Sequence, residues 1–417
     1  MPINLDKDYR RTQFALAIWN VPRRRMKRIR NVLTALFFAI GLPVGVRGQQ
    51  SADDYAKQAF QEYQASDWDA AISHYNHAIQ LDPKFAPYYL NRGVTKQAKG
   101  DLDGALIDFN KALDLDVTFA RAYVCRGNIK KVKRDLGGAL TDYDRAIEFD
   151  PKFSKAYSYR AIFKKATGDP SGSLVDFNRA IELAPKDGTT FNNRGDLKRF
   201  TGDLAGALSD FDEATKLEPK LGNAYFGRGL VKLAKGDVDG ALTDFNKTVE
   251  IEPKNAAVQF NIGLGREAKQ DWDGALIAFR RALELNSTAQ DYTRFRIWIV
   301  RMKKGDLAAA NDELSTYLVK RTTRTSGDWT EKIARYLLGQ ISEDDLLGAS
   351  ASLDSEVSAG QHCEFWFYVG MKQLLVGDKQ TASNDFRKCL ATQKRDFAEF
   401  WSAQIELKAL AKSMENP

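Results

Sequence analysis

The 417-residue chain has three His and three Cys, and that scarcity leaves little material for a metal centre. His74 and His77 stand three residues apart on one predicted helix; two ligands do not make a zinc site, so they read as an exposed helix face. No phosphate loop and no Gly-x-Ser-x-Gly occurs, and nothing pairs a nucleophile with a base. Asp101-Leu-Asp103-Gly, Asp237-Val-Asp239-Gly and Asp271-Trp-Asp273-Gly open as a calcium loop does, but the third acidic ligand and the closing Glu are missing at the required spacing, so they read as helix caps. The expectation is no enzyme, no cofactor, no metal and no small-molecule substrate.

A long apolar run is also lacking. Val32–Val46 is 15 residues, whereas a spanning helix needs about 20. With the basic run Arg23–Arg30 before it, and Pro43 and Val46-Arg47-Gly48 after it, residues 23–48 read as a secretory signal cleaved before Gln49. The other reading is an uncleaved anchor or a buried helix. No Cys stands at the cleavage region, which argues against lipid attachment there. Met26 opens an ordinary basic segment and suits a translation start; either start leaves the same mature protein, exported and periplasmic. The net charge of +7 invites a nucleic-acid partner, but its location argues otherwise. Residues 1–48 hold ten Lys/Arg against Asp6 and Asp8, leaving 52 Lys/Arg against 53 Asp/Glu in the rest. A nearly neutral body gives no electrostatic footprint for nucleic acid.

What is present is a period of 34 residues. Asp67, Asp101, Asp135, Asp169, Asp203, Asp237 and Asp271 recur in register, as do Pro83, Pro151, Pro185, Pro219 and Pro253. Four residues after each Asp comes a small residue, such as Ala105 or Ser173, and four later an aromatic, such as Phe109 or Phe177. Upstream runs a helix with Gly93, Gly127, Ala161, Gly195, Gly229 and Gly263, and in the first five an aromatic four residues earlier (Tyr89, Tyr123, Tyr157, Phe191 and Tyr225). Spacings of four keep these on one face. A small residue on each helix lets the pair close up, Asp caps the second helix, and Pro follows it. A fixed period of this length means a solenoid.

The unit resembles the tetratricopeptide repeat, a helical hairpin, and the resemblance implies an all-α, right-handed solenoid. Residues 1–48 form the leader; seven contiguous units fill 52–289, beginning at Ala52, Ala86, Ala120, Ser154, Gly188, Gly222 and Ala256. A degenerate hairpin at 290–324 puts Trp298 where the small residue belongs. A helical spacer follows at 325–361, with Thr325-Ser326-Gly327-Asp328 as turn and cap. A final unit at 362–396 carries Trp366, Gly370, Gly377-Asp378, Ala382 and Phe386, and an amphipathic helix at 397–412 is expected to cover the open end of the stack. This order of parts after Asp291, including Trp329, Ile333, Tyr336-Leu337 and Phe397-Ala398-Glu399, looks like the NlpI-like periplasmic repeat proteins of bacteria. That resemblance implies a non-catalytic envelope adaptor for peptidoglycan hydrolases or processing proteases, often a homodimer. The chain departs from it in its regular repeats and missing lipid-attachment Cys, which puts outer-membrane anchoring and particular partners in doubt. A glycan- or peptidoglycan-binding structural protein is the alternative.

One departure from the usual repeat itself recurs. Arg92, Arg126, Arg160, Arg194 and Arg228, each followed by Lys four residues on, face Asp108, Asp142, Asp176, Asp210 and Asp244. They read either as a structural ladder, which equal numbers favour, or as an anion-binding stripe. The concave face of the resembling family is lined by the second, fifth, ninth and twelfth residues of each first helix. Here those include Asn128, Lys131, Lys165, Asn192 and Arg199, then Phe226, Leu230, Leu233, Phe260 and Leu264: a polar, basic stretch running into an apolar one. They are the candidate sites for partner proteins or peptides, and the apolar set reads equally as helix packing. Cys363 and Cys389 stand at the first and twenty-seventh positions of the final unit, where one helix begins beside the end of the other. They are a candidate disulfide in an oxidising compartment, with Cys125 left as a free thiol.

Overall fold

The structure is a computed structural model that describes residues 50–285, 290–321, 328–351, 355–395 and 397–415. The predicted signal at 23–48 and the turn residues Thr325, Ser326 and Gly327 lie outside these. The described residues form 21 helices and no strand, divided into two compact units at Arg160/Ala161.

The first unit holds the hairpins α1 (Ala52–Gln64) with α2 (Trp68–Leu81), α3 (Ala86–Lys99) with α4 (Leu102–Leu115), and α5 (Ala120–Val132) with α6 (Leu136–Phe149). The division falls within α7 (Ser154–Ala166). The second unit continues with α8 (Pro170–Leu183), then α9 (Gly188–Thr201) with α10 (Leu204–Leu217), α11 (Gly222–Lys235) with α12 (Val238–Ile251), and α13 (Ala256–Ala268) with α14 (Trp272–Glu284). α15 (Gln290–Lys303) and α16 (Leu307–Lys320) make the degenerate hairpin. The short α17 (Trp329–Leu337) and α18 (Glu343–Ser350) lead to α19 (Ser355–Leu375), α20 (Lys379–Ala391) and α21 (Ala398–Glu415).

The repeated residues account for this geometry. Asp101 accepts a hydrogen bond from the Gly104 amide at 2.8 Å, and Asp135, Asp203 and Asp237 cap their helices in the same way. Glycine suits this third position because an added methyl at Gly104 would lie 2.1 Å from the Asp101 carboxylate. Where Ala70 stands instead, the bond to Asp67 lengthens to 3.2 Å. Capping explains the first Asp and the Gly of the Asp-x-Asp-Gly pattern, while the second Asp pairs with a Lys of the following unit, as Asp103 does with Lys133 and Asp239 with Lys269. A methyl at Gly93 would meet the Phe109 ring at 2.6 Å, and one at Gly263 the Phe279 ring at 2.4 Å, so the bare backbone is what admits the buried aromatic.

The degenerate hairpin inverts that exchange. Trp298 brings bulk to the first helix, and Leu314 replaces the aromatic on the second; both are buried, and the indole donates to Asn311 at 2.9 Å. α19 begins eight residues before Cys363, earlier than the final unit's predicted start. Its added turns lie against α18 and bring Gly360 under the Phe397 ring.

α21 does more than cover an end. It packs on α19 and α20 and also reaches back to α11. Lys408 donates to the Ala234 carbonyl at the end of α11 (3.0 Å), and Arg395, just before α21, donates to the Thr201 carbonyl at the end of α9 (2.8 Å). Basic side chains satisfy carbonyls that a helix terminus leaves unpaired.

Candidate functional site

The ion ladder is built within hairpins. Arg126 donates through Nε and Nη2 to Asp142 at 3.0 and 2.7 Å, and through Nη1 to Asn110 of the preceding hairpin at 2.8 Å. Lys130 reaches the same Asp142 at 2.9 Å. The arrangement recurs at Arg92, Lys96 and Asp108, at Arg194, Lys198 and Asp210, and at Arg228, Lys232 and Asp244. The Asp side chains are buried, while the cations keep an edge toward water. Each guanidinium also lies over the aromatic three residues earlier, as Arg126 does over Tyr123 at 5.3 Å. Burial works against the charge of Arg126, but the Asp142 bonds outweigh it and raise its pKa. The ladder is therefore structural: its cations are committed to carboxylates. Sequence reasoning missed the third partner, although Asn76, Asn110, Asp144, Asn178 and Asp212 recur at the same 34-residue spacing.

The candidate partner-binding residues divide by burial. In the first unit, Asn128 and Lys131 on α5 are half-buried, and Asn128 accepts from the Tyr143 hydroxyl at 2.8 Å. In the second, Lys165 on α7 and Arg199 on α9 both pair with Asp196, Arg199 at 3.0 Å. Burial raises the Asp196 pKa, but the two cations outweigh it and hold the carboxyl below its usual range. Asn192 is half-buried, and Lys165 also lies over the ring of Phe200, which is 41% exposed. This is a half-open polar patch with one net positive charge among Lys165, Asp196 and Arg199.

The apolar stretch has a different role. Leu233 and Leu264 are buried, and Phe226, Leu230 and Phe260 pack half-buried against the same cluster, which Ile405 of α21 joins. The rings of Phe226 and Phe260 lie 5.9 and 5.5 Å from those of Phe245 and Phe279. Of the two readings of these positions, helix packing describes what they do here, and the chain's own last helix is part of it.

A polar network beneath α21 was not anticipated. Glu364 accepts from Tyr292 at 2.6 Å and from the Trp329 indole, and Glu399 accepts from Tyr368 at 3.1 Å. Arg296, 2% exposed, bonds Ser402 and lies over Phe367, while Lys303 joins Glu267 (3.1 Å) and Glu406 (2.7 Å). Burial, then the charge of Glu399, pushes Glu364 up to about 8; burial raises Glu399 against the pull of Arg296. Two carboxyls of raised pKa can serve acid–base chemistry, but at 3% and 4% exposure they are closed to a substrate. An open cleft of about 620 Å³ lies between α15 and α16, lined by Arg294, Arg301, Asp312, Glu313, Tyr317 and Lys320 among others. Arg301 is already paired with Asp306 and Glu313.

His74 pairs with Glu62 at 2.7 Å, and His77 stacks on Tyr55. No group of three or more His, Cys, Asp or Glu among the described residues is arranged to hold a metal ion. Cys363 and Cys389 are free thiols in this structure, buried with their sulfurs 3.4 Å apart, and Cys125 is free as well. No described helix is long and apolar enough to cross a membrane.

Family models for the TPR repeat match residues 61–100, and models for the tetratricopeptide repeat match 86–116 and 192–256. Among solved structures, the chain is similar to YrrB, described as a TPR protein with an unusual peptide-binding site, at 25% identity over 44% of this chain and 95% of that one (TM-score 0.35). It is also similar to a tetratricopeptide repeat protein of Parabacteroides merdae, at 17% over 60% and 99% (TM-score 0.46). A third, pilF of Pseudomonas aeruginosa, matches at 16% over 48% and 92% (TM-score 0.43). The chain carries tetratricopeptide repeats, whose general role is to scaffold protein interactions.

Proposed function

We propose that this repeat array is a non-catalytic adaptor that binds segments of partner proteins on the polar part of its first-helix faces and works in the bacterial envelope after export. The observation that carries the reading is the contrast between positions. Ladder cations end on buried Asp carboxylates in unit after unit, whereas Lys165 and Arg199 share Asp196, a carboxylate 42% exposed at a position that other units fill with Val94, Asn128, Ile162 and Leu230. Partners of an NlpI-like kind, peptidoglycan hydrolases or processing proteases, suit such a role, and so does a homodimer. Photo-crosslinkers placed at Asn192 and Arg199 in the intact envelope, followed by identification of what is captured, test this directly. Arg199→Glu with Lys165→Glu should then reduce the captured protein's affinity at least tenfold, chiefly through a slower, salt-dependent on-rate. Failure to crosslink any protein in the envelope, or a chain found only in the cytoplasm, would overturn it.

A second reading, glycan binding, draws support from Phe200, an exposed aromatic that shares Lys165 with the Asp196 carboxylate. Co-sedimentation with purified peptidoglycan that is lost in Phe200→Ala would favour it.

A further inference from the structure

The first and twenty-seventh positions of the repeat meet in space. In the fifth repeat, a methyl added to Gly188 would lie 3.1 Å from the carbonyl oxygen of Ala214. In the sixth, Thr248 donates its hydroxyl to the Gly222 carbonyl at 3.4 Å. Regular units fill this junction with small residues, as in Ala86 with Ala112, Ala120 with Ala146 and Ala256 with Ala282. The ninth repeat has cysteine at both places. Cys363 and Cys389 are fully buried, with sulfurs 3.4 Å apart. Packing alone accounts for a small side chain at either position, since alanine serves there elsewhere, but not for a thiol on both sides of one contact.

We propose that Cys363 and Cys389 are an oxidation site, joined by a disulfide that ties the middle of α19 to the end of α20. The oxidant is an external disulfide of the glutathione or thiol-oxidoreductase class. One cysteine thiolate attacks a sulfur of that disulfide, forming a mixed disulfide and releasing one thiol. The second cysteine, deprotonated in turn, attacks the protein sulfur of the mixed disulfide and expels the other thiol. Two protein thiols lose two electrons and two protons, and one external disulfide becomes two thiols. The exchange occurs while the hairpin is still open. Once folded, the hydrogen bond with Cys363, then burial, raise the Cys389 thiol far above its usual range, so little thiolate exists to react. The same enclosure protects the finished bond from reductants. Cys125 has its thiol pushed up to about 12 by burial and stays reduced.

The test is to refold the full chain in oxidised and reduced glutathione, block remaining thiols under denaturing conditions, and map peptides by mass spectrometry without reduction. The expected product links Cys363 to Cys389, is lighter by two hydrogens, and carries label at Cys125 alone. Hydrogen exchange of α19 and α20 should then quicken by a few hundred-fold on unfolding-scale opening once the bond is reduced, from closure of a loop of this length. Cys363→Ala with Cys389→Ala restores the residues that the other hairpins use, so it should fold and show no response to reductant. Labelling of both cysteines after oxidative refolding, a bridge to Cys125, or an exchange rate indifferent to reduction would each overturn the assignment.

Discussion

Replacing Arg126 by Leu measures what the ladder contributes. The Asp142 side chain is 1% exposed and receives two bonds from Arg126 and one ion pair from Lys130, whose own side chains are 20% and 25% exposed. Removing one partner of a buried pair costs roughly 3–5 kcal/mol when the remaining charge is left alone. Lys130 stays in place, so about half of that, roughly 2 kcal/mol, is expected, with a few tenths more from the lost stacking on Tyr123. Asp142→Leu strands two cations instead, but both reach water along their stems, and roughly 2 kcal/mol is again expected. The double variant strands only Lys130, so the single losses should not add; the coupling should be about 1.5 kcal/mol. Because a repeat array opens locally, the assay is native-state hydrogen exchange of α5 and α6, where 2 kcal/mol appears as roughly thirtyfold faster exchange. The exposed pair Arg145–Glu148, at 52% and 58%, is the control and should couple by less than about 0.5 kcal/mol. A coupling near zero between Arg126 and Asp142 refutes the structural reading of the ladder.

Three further outcomes are expected. Arg134 and Gln270 take positive φ values (67° and 60°) at the turn position where Gly100, Gly202 and Gly236 stand, so Gln270→Gly should stabilise its hairpin by about 0.5–1 kcal/mol in denaturant titrations, and Gly236→Gln should cost a similar amount. Glu364 has a folded pKa raised to about 8 from an ordinary carboxyl value; the stability linked to its neutral form is full below the unfolded pKa and is lost as pH rises through about 8. The C-terminal hairpins should therefore melt at lower temperature at pH 8.5 than at pH 5, and Glu364→Gln should flatten that slope; an unchanged slope would exclude Glu364 as its source. Leu264→Ala should lower stability by about 2–4 kcal/mol, and Ile405→Asp should release α21 from α11, seen as faster exchange confined to those helices.

The repeat itself was legible residue by residue. Ala52, Ala86, Ala120, Ser154, Gly188, Gly222 and Ala256, identified from the period, are the first residues of their helices. Caps, turns and the fit of aromatic to glycine are decided within one hairpin, over separations of three to sixteen residues, and a 34-residue repetition writes such local rules many times over. The ladder was visible as matched Arg and Asp, and its geometry decides between the two readings. A sequence can show that charges balance, but whether each guanidinium is bidentate to a carboxylate or open to a ligand depends on side-chain burial.

The candidate site was less legible, because residues of like pattern have unlike surroundings. Leu264 and Lys165 both stand at first-helix positions that vary among the units, yet one is buried in the cluster that Ile405 of α21 joins and the other lies half-open beside Asp196. The amphipathic pattern of residues 397–410 states that α21 buries a face. It does not state that Lys408 will meet Ala234, 174 residues away. Likewise Arg296, Glu364 and Glu399, read along the chain, are charges on helices and so candidates for solvent; tertiary packing places them inside, where Tyr292 and Trp329 donate to Glu364, Tyr368 donates to Glu399, and Arg296 bonds Ser402. The sequence by itself determined the hairpin, because every contact that makes it recurs nearby in the chain. Only the tertiary structure decided which faces are spent on the protein's own last helix and which stay open, because that depends on contacts between residues far apart in sequence that no local period records.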